Sequence, residues 1–337
     1  MPTLDDVARH AGVAASTVSY VLSGKRSVSE STRRRVERSI QLLNYHPHAG
    51  ARALASSHSN IIALVVPLRS DLYVPVMMEI AMAVTTTARQ FAHDVLLLTN
   101  DEGPEGIRRV AVSSRADAII LMDVSMEDDR IPMLRDVTID AVLIGVPSDS
   151  AGLACIDLDF AAAGELCVEH LADLGHREVA FIGEAEAVYK RRSGFAERTL
   201  RGVLARAAQR DMRVFHRPCE GSYEAAAGAV TRILEERPRT TGLIVQNEAI
   251  IAPLLSVLRT VGRTVPEDVS IVTICPDRVA EQTAPRLTSV TIPAEEMGRR
   301  AVEVLMHRME NGRTGEVVLL PPVLTARGSS ATAAEAR

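Results

Sequence analysis

From Ile61 onward the chain alternates short aliphatic runs with amphipathic stretches, and this alternation limits what it can fold into. The runs are Ile61–Pro67, Asp94–Thr99, Ala118–Met122, Ala141–Gly145, Val179–Gly183, Arg213–Arg217, Gly242–Gln246 and Val269–Ile274. Between them lie helix-periodic segments such as Val76–Phe91, Ala161–Leu174, Gly194–Gln209 and Glu224–Glu236. Continuous apolar strands are buried on both faces, and parallel neighbours need a crossover helix. The pattern therefore implies βαβ units in a doubly wound α/β body. About eight strands over roughly 230 residues exceed one ordinary open sheet, which points to two similar lobes facing across a cleft.

The first 45 residues carry no strand pattern. Thr3-x-x-Asp6 reads as a helix start with the acid in the first turn, and Leu4, Val7, Ala8 and Ala11 share one face. Gly12 ends that helix. A second short helix runs from about Ala15 to Ser23, and a third from Ser29/Glu30 to Asn44 with Val36, Ile40 and Leu43 inward. A small residue at the crossing (Ala8), a glycine in the tight turn (Gly12) and apolar locks (Val13, Val18, Val21) are what a helix-turn-helix requires.

Composition sharpens this reading. The chain has 337 residues, 47% apolar, enough for two or three folding units. Its longest aliphatic run, Ile61 to Leu68, is interrupted by Pro67 and is too short to span a membrane. Four cysteines stand singly, with no CxxC, and the acidic start Met1-Pro2-Thr3-Leu4-Asp5-Asp6 lacks an apolar signal region; a reduced cytoplasm is expected, with no membrane contact. The net charge of −5 argues against nucleic acid until it is divided. Residues 1–59 hold eight Lys/Arg against four acids, +4, which leaves −9 for the rest. A basic headpiece on an acidic body suits a nucleic-acid partner. GxSxG, GxxxxGK[ST], HExxH and GxGxxG-after-a-strand patterns are missing from the sequence, and the nine histidines are dispersed. Neither enzyme chemistry, a metal nor a cofactor is expected.

TLDDVARHAGVAASTVSYVLSGKRSVSESTRRRVERSIQLLNYHPHAGARALAS, VEHLADLGHREVAFIGE, RTVPEDVSIV and PRLTSVTIP follow one another along the chain. In content and order these blocks resemble the LacI/GalR family of bacterial repressors, over nearly the whole length. The resemblance implies an α/β protein with an N-terminal all-α helix-turn-helix headpiece (1–46) and a hinge helix with linker (47–59). A two-lobed, doubly wound, periplasmic-binding-protein-like effector core (60–328) follows. Lobe one takes about 60–159 and 291–316, lobe two about 160–290 and 317–328, and 329–337 is a flexible tail.

Roles follow residue by residue. The second helix is implied to present Ala15, Ser16 and Tyr20 to base edges in the major groove, with Thr17 and Ser19 toward phosphates. Thr3, Lys25, Arg26 and Arg33 add DNA contacts. His48 to Ala55 resembles the hinge helix, with Leu54 as the minor-groove wedge and His48 and Ala51 beside it. In the cleft, Arg191 and Asn247 match effector ligands. Arg69, Asp71 and Tyr73 replace the common first-lobe run, Gly145 stands where an Asp is frequent, and Cys275 takes the place of a hydroxyl-binding acid with Asp277 two residues on. The implied partners are a double-stranded DNA operator, a second copy in a homodimer, and a small effector, a carbohydrate or sugar derivative. A non-sugar or phosphorylated metabolite, or a protein corepressor, stays open, as does whether the effector induces or corepresses.

Overall fold

Three short helices open the chain. The computed structural model describes residues 2–23, 26–45, 58–69, 71–100, 102–113, 115–312 and 315–333. In it α1 (Leu4–Ala11), α2 (Ala15–Ser23) and α3 (Glu30–Leu42) stand where the apolar spacing puts them. Thr3 and Asp6 form a reciprocal cap on α1: Thr3 N donates to the Asp6 carboxylate at 2.9 Å, and Asp6 N donates to Thr3 Oγ1 at 3.3 Å. Gly12, at φ 63°, ends α1 in the left-handed region and turns the chain toward α2. Val7, Ala8, Ala11, Val18, Val36 and Tyr45 form the buried cluster that locks the three helices. Lys25 and the hinge positions His48, Ala51 and Leu54 lie outside the described residues.

The body holds two six-stranded sheets. The chain first lays down β1 (Ile61–Val65), α4 (Val74–Gln90), β2 (Asp94–Leu98), α5 (Gly103–Val112), β3 (Ala118–Leu121), α6 (Arg130–Asp136), β4 (Asp140–Ile144) and β5 (Ala154–Leu158). It crosses at Asp159 into α7 (Phe160–Asp173), β6 (Glu178–Gly183), α8 (Glu186–Lys190), α9 (Gly194–Gln209), β7 (Arg213–Pro218), α10 (Tyr223–Glu236) and β8 (Gly242–Val245). Then come α11 (Ile251–Thr260), β9 (Ser270–Cys275), α12 (Asp277–Glu281) and β10 (Thr288–Thr291). The chain returns through α13 (Ala294–Asn311), which packs on α4, to β11 (Val317–Leu320), and crosses once more to β12 (Leu324–Thr325). Strand order is β11-β5-β4-β3-β1-β2 in one sheet and β12-β10-β9-β8-β6-β7 in the other. The pairing of β10 with β12 is antiparallel; the other described pairs are parallel.

Two boundaries differ from the sequence reading. Residues 317–320 belong with lobe one, not lobe two: β11 pairs in parallel with β5, Val317 beside Cys155, because α13 leaves the chain at that sheet's edge. Residues 329–333 are not a loose tail. Ser329 is buried; its Oγ accepts from Thr288 N at 2.8 Å and donates to the Ile271 carbonyl at 2.6 Å. Ala333 N donates to the Leu174 carbonyl at 2.8 Å. These bonds satisfy backbone groups of β9 and β10 and at the end of α7.

Within lobe two, α7 and α9 touch backbone to backbone. A Cβ on Gly202 would stand 2.0 Å from the Ala161 carbonyl oxygen, and one on Gly164 2.5 Å from that of Thr199. Gly228, in α10, faces open space. Gly202→Val is expected to lower stability in urea unfolding by about 3 kcal/mol or more, through overpacking against main chain. Gly228→Ala is expected to add about 0.5–1 kcal/mol by helix propensity. Equal effects at the two glycines would contradict the close approach.

Candidate functional site

The headpiece presents α2 outward. Val18 is fully buried, Ser16 and Tyr20 lie on the opposite side of the helix with Thr17 and Ser19 on its flanks, and Ala15 packs against the headpiece core. The Arg26 guanidinium lies over the Tyr20 ring, 5.5 Å from its centroid, so the exposed end of the aromatic side chain has a positive charge beside it. Arg33 is exposed on α3 and makes no ion pair among the described residues, whereas Arg34 is paired with Glu30 at 3.0 Å. Thr3 is exposed, but its hydroxyl is committed to the cap, donating to Asp6 at 2.7 Å. His10 Nδ1 meets Ser39 Oγ at 3.0 Å and ties α1 to α3, which steadies the face that α2 offers.

Between the lobes lies a cleft whose empty space, counted out to its opening on solvent, is about 790 Å3. It sits at the carboxyl ends of the strands, where open α/β sheets leave a crevice. Tyr73, Val76, Met77, Ile80, Met122 and Ile144 line it from lobe one, and Phe160, Phe195 and Ile274 from lobe two. Phe160 and Phe195 pack on each other at 5.7 Å between centroids. The polar lining is acidic or amide: Asp123, Asp157, Glu184, Gln246 and Glu248, with no Lys or Arg among the described lining residues.

Ion pairs bridge the gap around this cavity. Arg191, after α8, donates through Nη1 to Asp71 Oδ2 at 2.5 Å. Arg192 pairs with Glu127 at 2.5 Å, Arg278 with Glu79, and Arg198 of α9 with Asp157 of β5. Arg198 also donates to the Val146 carbonyl. Backbone bonds join the same seam, Met126 N to the Arg192 carbonyl at 2.8 Å and Gly194 N to the Val124 carbonyl at 3.0 Å. Within lobe one, Arg69 holds Asp123, whose own backbone is left-handed at φ 52°, a costly conformation for a non-glycine residue at the mouth of a site.

Of the expected effector residues, Tyr73 lines the cavity, while Arg69, Asp71 and Arg191 stand around it in the ion pairs just described. Three others are not brought to it. Asn247 is buried within lobe two; its Nδ2 donates to the Cys219 carbonyl at 2.8 Å and its Oδ1 accepts from Ala249 N at 3.0 Å. Cys275 is buried in β9 beside Thr273 Oγ1 at 3.2 Å, and burial pushes its thiol up to about 12. Asp277 accepts from Thr291 Oγ1 at 2.9 Å and from Arg327 at 2.7 Å. Asp123, Asp157, Glu184 and Gln246 were missed in the sequence, whereas Glu248 stands there as the replacement for the Asp that follows the family's ligand-binding Asn. Asp123, Glu184 and Gln246 follow closely on the ends of β3, β6 and β8, and that position was the available signal.

Residues 3–48 match the model of bacterial regulatory proteins, lacI family, and residues 168–330 that of the periplasmic binding protein-like domain. The chain is 30% identical over 334 residues to the HTH-type transcriptional regulator CelR of Thermobifida fusca, covering 95% of each. It belongs to the lacI family. A second relative is catabolite control protein A of Priestia megaterium, 26% identical over 97% of this chain and 99% of that one. Among solved structures, the CelR–cellobiose complex aligns with a TM-score of 0.71 at 26% identity, over 98% of this chain and all of that chain. The lac repressor dimer bound to operator and the anti-inducer ONPF aligns with a TM-score of 0.85 at 24% identity over 98% and 99%, a likeness of fold. As a lacI-family member the chain is a DNA-binding transcriptional regulator with an effector-binding core. Among the described residues no helix is long and apolar enough to cross a membrane.

The acids of the cavity make stability depend on pH. Burial pushes the Glu248 carboxyl from an ordinary 4.5 up to about 8, and burial together with Glu248 raises Glu184 as well. A carboxyl whose pKa rises on folding binds its proton more tightly in the folded state. Stability is then greatest below the unfolded value and falls as pH climbs toward 8. Glu248→Gln is expected to flatten the decline between pH 5 and 8 and to raise stability at pH 8 by about 1–2 kcal/mol. Parallel melting curves for the two proteins across that range would contradict the burial of this charge.

Proposed function

We propose that the chain is a repressor that binds an inverted-repeat operator as a homodimer. On this reading a small effector, a carbohydrate or sugar derivative, sits in the interlobe cavity and shifts the balance of bound and free DNA. The observation that carries the proposal is the cavity itself, built from both lobes and bridged around its edge by ion pairs that the relative position of the lobes makes or breaks. A ligand that favours one lobe arrangement and DNA that favours another are coupled by that difference alone.

The lining supports a ligand rich in hydroxyl groups with an apolar face. Tyr73, Phe160 and Phe195 offer aromatic surface, while Asp123, Glu184, Gln246 and Glu248 offer acceptors. A phosphorylated ligand is disfavoured, because no cation lines the described cavity. The CelR structure holds cellobiose, and the lac repressor structure is a dimer on operator; both support the reading. On DNA, this reading gives base edges to Ala15, Ser16 and Tyr20, with Ala15 suited to a thymine methyl, and phosphates to Thr17 and Ser19. The same reading gives further phosphates to Arg26 and Arg33.

Selection from random duplex DNA with the full chain is expected to enrich an inverted repeat. On that sequence, Ser16→Ala or Tyr20→Ala should change base preference at defined positions. Arg33→Ala should weaken binding on all sequences alike and lower the salt slope by about one. Enrichment of no repeat, or identical preferences after both recognition-helix substitutions, would overturn the assignment of α2.

A further inference from the structure

The charges around the interlobe cavity do not balance. Asp71, Asp123 and Asp157 each have an arginine: Arg191, Arg69 and Arg198 respectively. Glu184 and Glu248, both lining the cavity, have no ion-pair partner among the described residues. Glu184 is only 6% exposed, and Glu248 lies close enough to act on it electrostatically. Arg191 is the cation that acts on Glu184; its Nη1 is held by Asp71, while its Nε and Nη2 are buried without a hydrogen-bond partner and make no hydrogen bond to Glu184. Two carboxylates removed from water without a countercharge are costly, and the cost is relieved when a cation joins them.

A second observation points the same way. Gln246 lines the cavity, is 3% exposed, and its Oε1 has no hydrogen-bond partner. The orientation of its amide is decided by its neighbour. Thr199 Oγ1 gives its one hydrogen to the Phe195 carbonyl at 2.9 Å, so toward Gln246 it can only accept, which it does from Nε2 at 3.1 Å. Oε1 is thereby left as a buried acceptor. Asp123 Oδ1 is likewise buried and unpartnered. The cavity lining thus supplies acceptors from four side chains, two of them carboxyls that burial biases toward the protonated form while no cation is present and that a positively charged donor would ionise and pair.

We propose that the effector carries a protonated amine, seated between Glu184 and Glu248 with Gln246 Oε1 accepting one of its N–H bonds. The proposal rests on the reading of the cavity as the effector site and adds the charge of the ligand to it. The rest of the molecule lies on the aromatic and aliphatic lining, so an amine-bearing sugar or a compact aryl amine fits better than its neutral counterpart. An ammonium brings three donors to this set of acceptors, and each bond to a carboxylate is charge-assisted.

The test uses the full-length protein in calorimetric titrations at neutral pH and fixed salt, with two isosteric pairs as probes. These are glucosamine against glucose, and tyramine against the alcohol in which a hydroxyl replaces its amine. In at least one pair the amine is expected to bind about tenfold or more tightly than its partner. That preference should vanish in Glu184→Gln/Glu248→Gln, which keeps shape and hydrogen bonding while removing both charges. A neutral member that binds as well as its amine overturns the amine proposal and leaves the cavity standing as the effector site. Preference for the amine that survives the double substitution also overturns it, since the charge would then be read elsewhere. Binding of none of the four at millimolar concentration counts against both the amine and the effector reading.

Discussion

Asp157 and Arg198 are the pair on which the body depends. Asp157 belongs to the last strand of the first lobe before the chain crosses at Asp159, and Arg198 belongs to a helix of the second. Both are buried. Burial pushes the Asp157 carboxyl up to about 7, and the Arg198 charge works against that shift, so the arginine favours the charged form of the acid. Separation of the lobes breaks this pair and leaves water to answer each charge. The same arginine holds the Val146 carbonyl, so one side chain closes both an ionic and a backbone bond across the seam.

Everything at the cavity follows from that closure. With the lobes together, Arg191 reaches Asp71 and Arg192 reaches Glu127, and the apolar side chains of both lobes enclose one space. The pairs at the edge are half-exposed or exposed, and such pairs contribute little singly. They are suited to being exchanged. A ligand that supplies its own donors to Asp123, Glu184 and Gln246 competes with or reinforces them at modest cost, which makes the lobe arrangement adjustable while Arg198 and Asp157 keep it from coming apart. In the proposed mechanism the headpiece senses that adjustment through residues 46–57.

The parts of this molecule governed by local rules were legible before any coordinates. Thr3 with Asp6, Gly12, and the spacing of Val7, Val18 and Val36 specify the headpiece, because caps, turns and helical faces are short-range. The long strand runs were legible for the same reason. β5 and β10 were not: Ala154–Leu158 contains an acid, and Thr288–Thr291 is rich in hydroxyls. Their polar groups are satisfied only by partners far along the chain, Asp157 by Arg198 and Thr288 by Ser329 and Ser330. The cavity was legible in part. The family resemblance led to Tyr73 and Asp71, but Asn247 and Cys275 point into lobe two while their neighbours Gln246 and Ile274 line the site. A one-residue difference on a strand changes the face, and pattern alone does not fix which face meets the other lobe.

The central claim is that lobe position, set by ion pairs across the seam, governs the grip on DNA. Its most direct test is the operator affinity of Glu79→Gln/Glu127→Gln, measured by fluorescence anisotropy on the full chain. Glu235→Gln/Glu267→Gln, which neutralises two exposed acids that make no ion pair among the described residues, matches its net charge. Loss of the two bridging pairs is expected to change the dissociation constant about fivefold, roughly 1 kcal/mol, relative to that control. Identical affinities for the bridging variant and the charge-matched control would contradict the coupling.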